Sequence, residues 1–575
     1  MPSRLPRPRG LRALAGLAVA AALLSACAGI PDSGPVRQGA EVGSERNEPF
    51  IQLIAREPVS GLTEQQVLDG FLQASASFDN DHGVARDYLA PEVQHRWRPG
   101  VGVVVYDDSS GNGALLVQQG SAITLRATEV ARISEQGEYT ASPGGTVTSA
   151  KFTLRKVGGE WRIASLPDGL FLTQLDVARA YRSFDLYFPD PTRTVLVPNP
   201  VLLPVGSGVS TSLVRALLEG PSAWLAPAVA TAFPVGTSLI GGAPVRNNVV
   251  QVDLSSAASR AGSEDMRAMS AQLVWTLRQL SDVAAVQISV DGTPLAVPGA
   301  SPDQPRDAWP SFDPDVLRAS ALGYFVRHGR VYSFGSGSPS TVPGPFGDGQ
   351  VEVRSPAVSL EGDLLAGLDS SGRLVLGRLA NDEKASVVVV GTSLTAPSWD
   401  IFGDAWVVDR TKAGPTIWTV RVGEKPRKVD TVGLPPGQVL ALSVARDGAR
   451  AAVVIKGADA GRLYVGRVER AADRITLAGL RPVESSYSDV LDVSWNTADR
   501  LVVLGVGPAG ITQPSIVDLA GVVLRDLGSV GKNITSVAGA PGRPVLAATA
   551  TGTVFQYSNL NWTELGAGVD PAYPG

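Results

Sequence analysis

The chain has 575 residues, and 50 Lys plus Arg against 55 Asp plus Glu leave a formal net charge of −5, which excludes an overall positive field drawing it to nucleic acid. Hydrophobic residues make up 44%, enough to fill real cores, and at ~100–200 residues per domain the length predicts about three to five domains. A single Cys and three His (His82, His95 and His328) exclude an intrachain disulfide, a thiolate zinc site and a clustered-His metal site, so neither metal nor cofactor is expected.

Arg4, Arg7, Arg9 and Arg12 give a positive start, and Ala13 to Leu24 (ALAGLAVAAALL) carries no charge. About a dozen apolar residues is signal-peptide length, whereas a spanning helix needs ~20. Leu24, Ser25, Ala26 and Cys27 follow, and this run resembles the bacterial lipobox. Small residues let an extended backbone enter the signal peptidase, and the thiol accepts diacylglycerol as a thioether. Cleavage is expected before Cys27, which becomes an N-palmitoyl, S-diacylglycerol cysteine. Ala28 to Arg46 is small, polar and Pro/Gly-containing, and reads as a tether behind that anchor.

A first, α+β domain is expected over residues 61–200. Thr63 with Gln66 has the spacing of a capping box, and the helix behind it carries Val67, Leu68, Phe71, Leu72 and Ser75 on one face. A short helix follows over Val84–Leu89. The period then changes to two, with strands predicted at Val101–Tyr106, Ala114–Val117, Ala122–Ala127, Thr146–Val157 and Trp161–Ala164, and a hairpin turn at Gly158-Gly159. Helices followed by a curved meander resemble the nuclear transport factor 2 (NTF2) superfamily. Val195–Pro204 is read as the link to the next domain.

Residues 201–302 are read as an α/β unit. Ser212–Glu219 predicts a helix stopped by Gly220-Pro221, and Val249–Leu254 alternates as a strand. Met266–Leu280 predicts a helix with Met269, Leu273, Leu277 and Leu280 at helical spacing; Ala285–Val290 is a strand turned back by Asp291-Gly292. LVRALLEGP, a strand ending VDLS, a long helix and VQISVDG resemble the GerMN domain of sporulation and germination proteins. Asp253 and Asp291 look like paired carboxylates, but strand-end turn roles are the simpler reading. The Pro/Asp-rich segment Ser301–Asp313 is taken as a domain boundary.

From residue 314 to 575 the sequence repeats. Related segments start at Ala357, Ala396, Ala441, Leu491 and Ile534, spaced 39, 45, 50 and 43 residues apart, with a partial copy at Ala321. Each has an apolar–Ser start, a Gly, Asp or Asn turn and two apolar strands. That is the pattern of an all-β propeller, here of five to six blades. The apolar strands Ala366–Leu368, Ala405–Val408, Ala451–Ile455, Leu501–Leu504 and Val545–Ala548 are expected to surround the central channel.

Other motifs are weak. Ser529-Val-Gly-Lys532 matches S-x-x-K, but the S-D-N and K-T-G partners of a penicillin-recognising enzyme are absent. Gly505-Val-Gly-Pro-Ala-Gly510 matches G-x-G-x-x-G, yet Pro508 and the repeat context argue for a blade-connecting loop. His82 and His95 could form a polar site beside Asp79, Asp81, Arg86 and Arg96; surface histidines are the simpler reading. Trp399, Trp406, Trp418 and Trp495 could stack on sugars in an envelope carbohydrate-binding protein or propeller enzyme, although some fall on regular strand positions that favour a core role.

The order of lipobox, CAGIPDSGPV, α+β domain, GerMN-like domain and propeller resembles the actinobacterial LpqB lipoprotein family across essentially the whole chain. Its most specific stretches are Cys27–Val36, Gly159–Ile163 with Leu166–Gly169, and Leu217–Pro221. The resemblance implies a lipid-anchored, non-enzymatic protein on the extracytoplasmic face of the cell membrane. It also implies a partner: the extracellular part of the MtrB sensor histidine kinase, and through it MtrA–MtrB signalling in cell-wall homeostasis and division. No catalytic residue comes with it; only Cys27 carries over.

Overall fold

A computed structural model describes residues 55–575 except 108–113, 207, 316, 319, 382–383, 484–486, 520–522 and 532. The lipobox, Cys27 and the tether lie outside the described residues.

The first unit begins with helix α1 (Glu64–Ala74). The Thr63 hydroxyl accepts from the Gln66 amide at 3.3 Å while the Gln66 side chain accepts from the Thr63 amide at 2.9 Å, closing the capping box read from the sequence. Short helices α2 (Gly83–Asp87) and α3 (Pro91–Gln94) follow, then strands β1 (Gly102–Tyr106), β2 (Leu115–Gln119), β3 (Ala122–Ser134), β4 (Tyr139–Ala141), β5 (Val147–Val157), β6 (Glu160–Ser165) and β7 (Leu170–Thr173). The sheet runs β6-β5-β3-β1-β7, and β7 lies parallel to β1. The long β3 is shared: its first half pairs with β2 and β5, its second half with β1 and β4. Val67, Leu68 and Phe71 of α1 join Leu125, Phe152 and Ile163 of the sheet in one core. Gly158 and Gly159, at φ 60° and 92°, make the tight β5–β6 turn that an ordinary L-residue pair resists.

Helix α4 (Gln174–Ala180) leads into the hairpin β8 (Tyr181–Pro189) and β9 (Leu196–Pro204). The sequence reading placed this hairpin in the first domain and its linker. Its side chains Leu186, Phe188, Leu196, Val197 and Val201 instead belong to the second core, with helix α5 (Val209–Glu219) and helix α6 (Ser263–Leu277). The hairpin covers α6, where the Thr276 hydroxyl accepts from the Tyr187 amide at 3.2 Å and Gln279 exchanges bonds with the Asp185 backbone at 2.7 and 2.8 Å. Consequently α6 is buried on every side from Ala268 to Leu277, not only along the stripe its spacing predicted. Buried Gln272 is satisfied by the Tyr187 carbonyl and the Ala232 amide.

The second unit's sheet holds β10 (Val245–Arg246), β11 (Val249–Leu254), β12 (Ala285–Val290), β13 (Thr293–Pro294) and β14 (Asp303–Pro305). Strands β11 and β12 are parallel, joined through α6 as a βαβ unit. Ser301–Asp313 is not an open boundary. Strand β14 pairs with β12, Gln304 is buried against the Ser270 hydroxyl and the Trp309 indole N–H, and Phe312 enters the core.

The remainder is an all-β propeller of six four-stranded blades. The strands next to the axis are Val569–Ala572 (blade 1), Val353–Val358 (blade 2), Ser398–Trp399 (blade 3), Gln438–Val444 (blade 4), Asp489–Thr497 (blade 5) and Ile534–Ala538 (blade 6), and they pack side by side in a closed ring. Blade 1 draws its inner strand from the C-terminus and its other three from Gly323–Thr341, which closes the ring and leaves no free blade edge there. The apolar strands expected around the channel are each blade's second strand. They are buried because sheet neighbours flank them and adjacent blades cover both faces; the axis-lining strands are the more polar ones, with Ser355, Asp492 and Asp570.

Candidate functional site: the two faces of the propeller

Strands alternate in direction within a blade, so the turns between first and second strands lie on one face, and the turns between second and third strands on the other. The first face is charged and covered. In blade 4, Asp447 accepts from the Ala449 amide at 2.9 Å and from the Arg450 guanidinium, and both side chains are fully buried. In blade 3, Asp400 and Asp404 are buried and share Arg470, whose blade 4 side chain also lies 4.3 Å from the Phe402 ring centroid. Asp404 further accepts from Arg421 at 2.9 Å and Arg427 at 3.0 Å. Burial raises the Asp400 carboxyl above the ordinary carboxylate range against the pull of Arg470. Three guanidiniums thus hold two buried carboxylates and pin blade 3 to blade 4.

Arg446 is the keystone of this face. It is buried and donates to the carbonyls of Trp495 (3.2 Å), Gly539 (3.1 Å) and Pro574 (3.2 Å), tying blade 4 to blades 5, 6 and the C-terminus beside blade 1. Desolvation lowers its pKa to about 10, opposed by Asp315. Asp315 follows β14, accepts from the Ala498 amide at 2.6 Å, and is raised to about 7, chiefly by burial and then by Asp499. Arg318 pairs with Glu361 of the blade 2 turn, and its carbonyl accepts from Arg543 of blade 6. Asp315 and Arg318 therefore lie across the face. Ala449 of a blade 4 turn is part of the second unit's core. At the blade 4 rim the Trp224 indole N–H donates to Gly479 at 2.5 Å, Arg481 sits 5.1 Å from the Trp224 ring centroid, and Arg481 pairs with Glu138 of the first unit at 2.6 Å. All three units meet there.

The opposite face exposes aliphatic side chains: Val390 is 74% exposed, Val432 60% and Ile511 51%. All three lie in loops or turns, where a rigid scaffold presents groups to a partner.

The tryptophans are spent on construction. Trp399 and Trp495 occupy matching inner-strand positions, and each indole N–H donates to an inner-strand carbonyl of the preceding blade, Ala357 at 3.0 Å and Ser443 at 2.9 Å. Trp406 is buried with its N–H on Asp400 at 2.7 Å, and Trp418 is half-buried against the blade 2–3 core. None of the four is an open platform for a sugar. Side chains reciprocate across blades: Ser398 accepts from Val444, Asp492 from Val537, Ser494 from Gly539 and Asp570 from Ser355. Asp492, half-buried on the axis-lining strand, is raised to about 7, first by desolvation.

The histidines do not converge on a site. His95 is exposed, but His82 is buried, with its ring 4.7 Å from Phe78 and 5.9 Å from Trp97. Burial lowers its pKa, so it is neutral at pH 7. Asn80, Asp81 and His82 all have left-handed φ, and Arg86 holds this turn through the Asp81 carbonyl (2.8 Å), the Asp81 carboxylate (2.6 Å) and the Trp97 carbonyl (3.2 Å). Asp253 is the strand-end turn residue anticipated: it accepts from Ser289 at 2.8 Å and Gly292 at 2.9 Å. Gly505–Gly510 is a strand end and turn in blade 5. Ser529 donates to Gly531 at 2.7 Å, and Lys532 lies outside the described residues. No group of three or more His, Cys, Asp or Glu that could hold a metal occurs among the described residues. Arg446, Asp315 and Arg470 escaped the sequence reading because a charged residue in a Gly/Asp turn looks solvated; only the tertiary cover makes it buried.

Three family models match in order: the lipoprotein LpqB N-terminal domain over 57–178, sporulation and spore germination over 185–296, and the lipoprotein LpqB beta-propeller domain over 329–574. Lipoprotein LpqB of Thermobifida fusca is 32% identical over 98% of this chain and 99% of its own length. The chain belongs to the LpqB lipoprotein family. Lipoprotein LpqB of Streptomyces coelicolor is similar at 31% identity, covering 99% of this chain and 98% of its own. Among solved structures, the first GerMN domain of the sporulation protein GerM from Bacillus subtilis matches 22% of this chain and 98% of its own at 22% identity and a TM-score of 0.19, too low to carry an argument. These LpqB relatives are named as lipoproteins and not as enzymes. LpqB membership brings lipid modification and membrane anchoring with it. No helix among the described residues is long and apolar enough to cross a membrane.

Proposed function

We propose that this LpqB-family chain is cleaved before Cys27, lipidated on that cysteine, and held on the extracytoplasmic face of the cell membrane. There it acts as a non-enzymatic accessory protein that binds the extracellular part of the MtrB sensor kinase and modulates MtrA–MtrB signalling. The observation that carries the binding role is the asymmetry of the propeller. One face is held by buried ion pairs and crossed by Asp315 and Arg318, while the other presents Val390, Val432 and Ile511 to solvent in loops and turns. Buried apolar anchors inside a polar rim give protein interfaces their affinity, and this face supplies such anchors at no cost to the fold.

The test is binding of the mature chain to the kinase's extracellular domain, with Val390→Asp, Val432→Asp and Ile511→Asp introduced together. A Kd in the micromolar range or tighter, weakened at least about tenfold by the triple variant, supports the reading. Unchanged binding would move the site off this face, and absence of binding at micromolar concentration would remove the kinase as partner. For the anchor, Cys27→Ala is expected to abolish acylation and release the chain from the membrane; an acylated or still membrane-bound variant after signal cleavage overturns that assignment.

A further inference from the structure

The outward face of the first unit's sheet carries no function so far. The register of β2, β3 and β5 fixes which side chains share it. Leu115 stands opposite Arg126, which stands opposite Ser149; Val117 stands opposite Thr124, which stands opposite Lys151; and Thr128 stands opposite Val147. The alternate positions Ile123, Leu125, Ala150 and Phe152 point into the core. These eight are three aliphatics, two cations and three hydroxyls, and Gln119, Ala122 and Thr153 continue the same face. Leu115 is 61% exposed, Val117 42% and Val147 62%. Arg126 and Lys151 are exposed and make no ion pair with a described residue. Of the acids beside it, Glu129 of β3 is buried and taken up by Arg132 and Ser142, and the Asp107 amide meets the Thr128 carbonyl at the rim.

We infer that this face rests on the anionic headgroups of the membrane that carries the anchor. Two observations select a lipid surface as the occupant. The first is charge complementarity: aliphatics flanked by cations that have no ion-pair partner among the described residues, with hydroxyls between, suit a bilayer interface, where stems of Lys and Arg lie along the acyl boundary and their heads reach phosphates. The second is the chain outside the described residues. Cys27 and Ala55 are 28 residues apart, so at ~3.3–3.6 Å per residue the sheet is never more than about 100 Å from the bilayer. Within that radius even a weak surface affinity becomes an intramolecular equilibrium. Docking this face would fix which way the propeller points, turning a length-limited leash into an oriented mount. The inference rests on lipidation of Cys27 and deepens that reading.

The experiment uses the mature lipidated chain in vesicles. The lipid occupies Cys27, so Val117→Cys supplies a single thiol for an environment-sensitive fluorophore, with Val432→Cys on the propeller as control. In vesicles of phosphatidylcholine with about a third phosphatidylglycerol, the label at position 117 is expected to shift to the blue and the control label not to shift. The shift should be reversed by roughly 0.5 M salt, where screening reaches within a few ångströms. Arg126→Gln with Lys151→Gln should weaken docking about 25-fold, about fivefold per cation. Equal emission in pure phosphatidylcholine, a salt-insensitive shift, or docking unchanged by the double variant overturns the inference. So does a shift that needs a protein partner regardless of lipid charge, which would give the face to that protein. If the double variant fails to fold, the salt response of the otherwise native chain decides. Failure of the anchor reading shows separately, as a mass without acyl chains and a second reactive thiol.

Discussion

The two faces of the propeller differ in what their charges and apolar groups are for. On the covered face, Asp447 and Arg450 are buried as a pair in blade 4, Arg470 reaches across to buried Asp400 and Asp404 of blade 3, and buried Arg446 bonds blades 5 and 6. On the open face, aliphatic side chains stand in water with no partner in the fold. The first arrangement is expensive to perturb and unavailable to a ligand; the second contributes little to stability and is free to bind. A charged cluster in a structure is thus not a sign of a functional surface, and here the plainer face is the better candidate.

That contrast can be broken from the covered side. Asp447→Ala leaves Arg450 buried without its partner and should cost about 3–5 kcal/mol, read as a lower midpoint in denaturant unfolding. Arg446→Met keeps the volume but strands three carbonyls, and about 2–4 kcal/mol is expected, with increased amide exchange around Gly539 and Pro574. If either change were neutral, the covered face would not be holding the ring.

The pH dependence sharpens the same point. Asp315 and Asp492 hold their protons to about pH 7 in the fold, against an ordinary value of 3.8. The folded chain therefore binds protons that the unfolded chain releases between about pH 4 and 7. Their contribution is fully present below the unfolded value and is lost as pH rises through 7. Chemical denaturation at pH 5 and pH 8 should show lower stability at pH 8, and Asp492→Asn should flatten the slope. Trp399→Phe, which removes the bond to Ala357 and leaves a cavity where the larger indole was buried, should cost about 2–3 kcal/mol. At the small end, Val390→Ser and Val432→Ser should change stability by less than about 0.5 kcal/mol, as exposed substitutions do, while still altering partner binding.

Local signals were legible where a few neighbouring residues decide the outcome. Thr63 and Gln66 determined the start of α1, Gly158-Gly159 the β5–β6 turn, Asp253 a strand-end role, and the 39–50-residue repeats a blade architecture. By themselves these residues also determine the family, since LpqB-like stretches run along the whole chain. Tertiary structure decided the rest. Pairing Val569–Ala572 with Gly323–Arg327 spans some 240 residues and has no local signature, so ring closure was invisible until the blades were counted. Burial on both sides makes a blade's second strand more apolar than its first, so apolarity pointed away from the axis. The β8–β9 hairpin read as the end of the first domain and a link because α6, which it covers, lies about 90 residues on; β14 read as a boundary because three residues pairing with β12 leave no strand pattern in a Pro/Asp-rich segment. Arg446, Asp315 and Arg470 became structural because a neighbouring blade or unit removes water from them, and that exclusion belongs to the assembled fold.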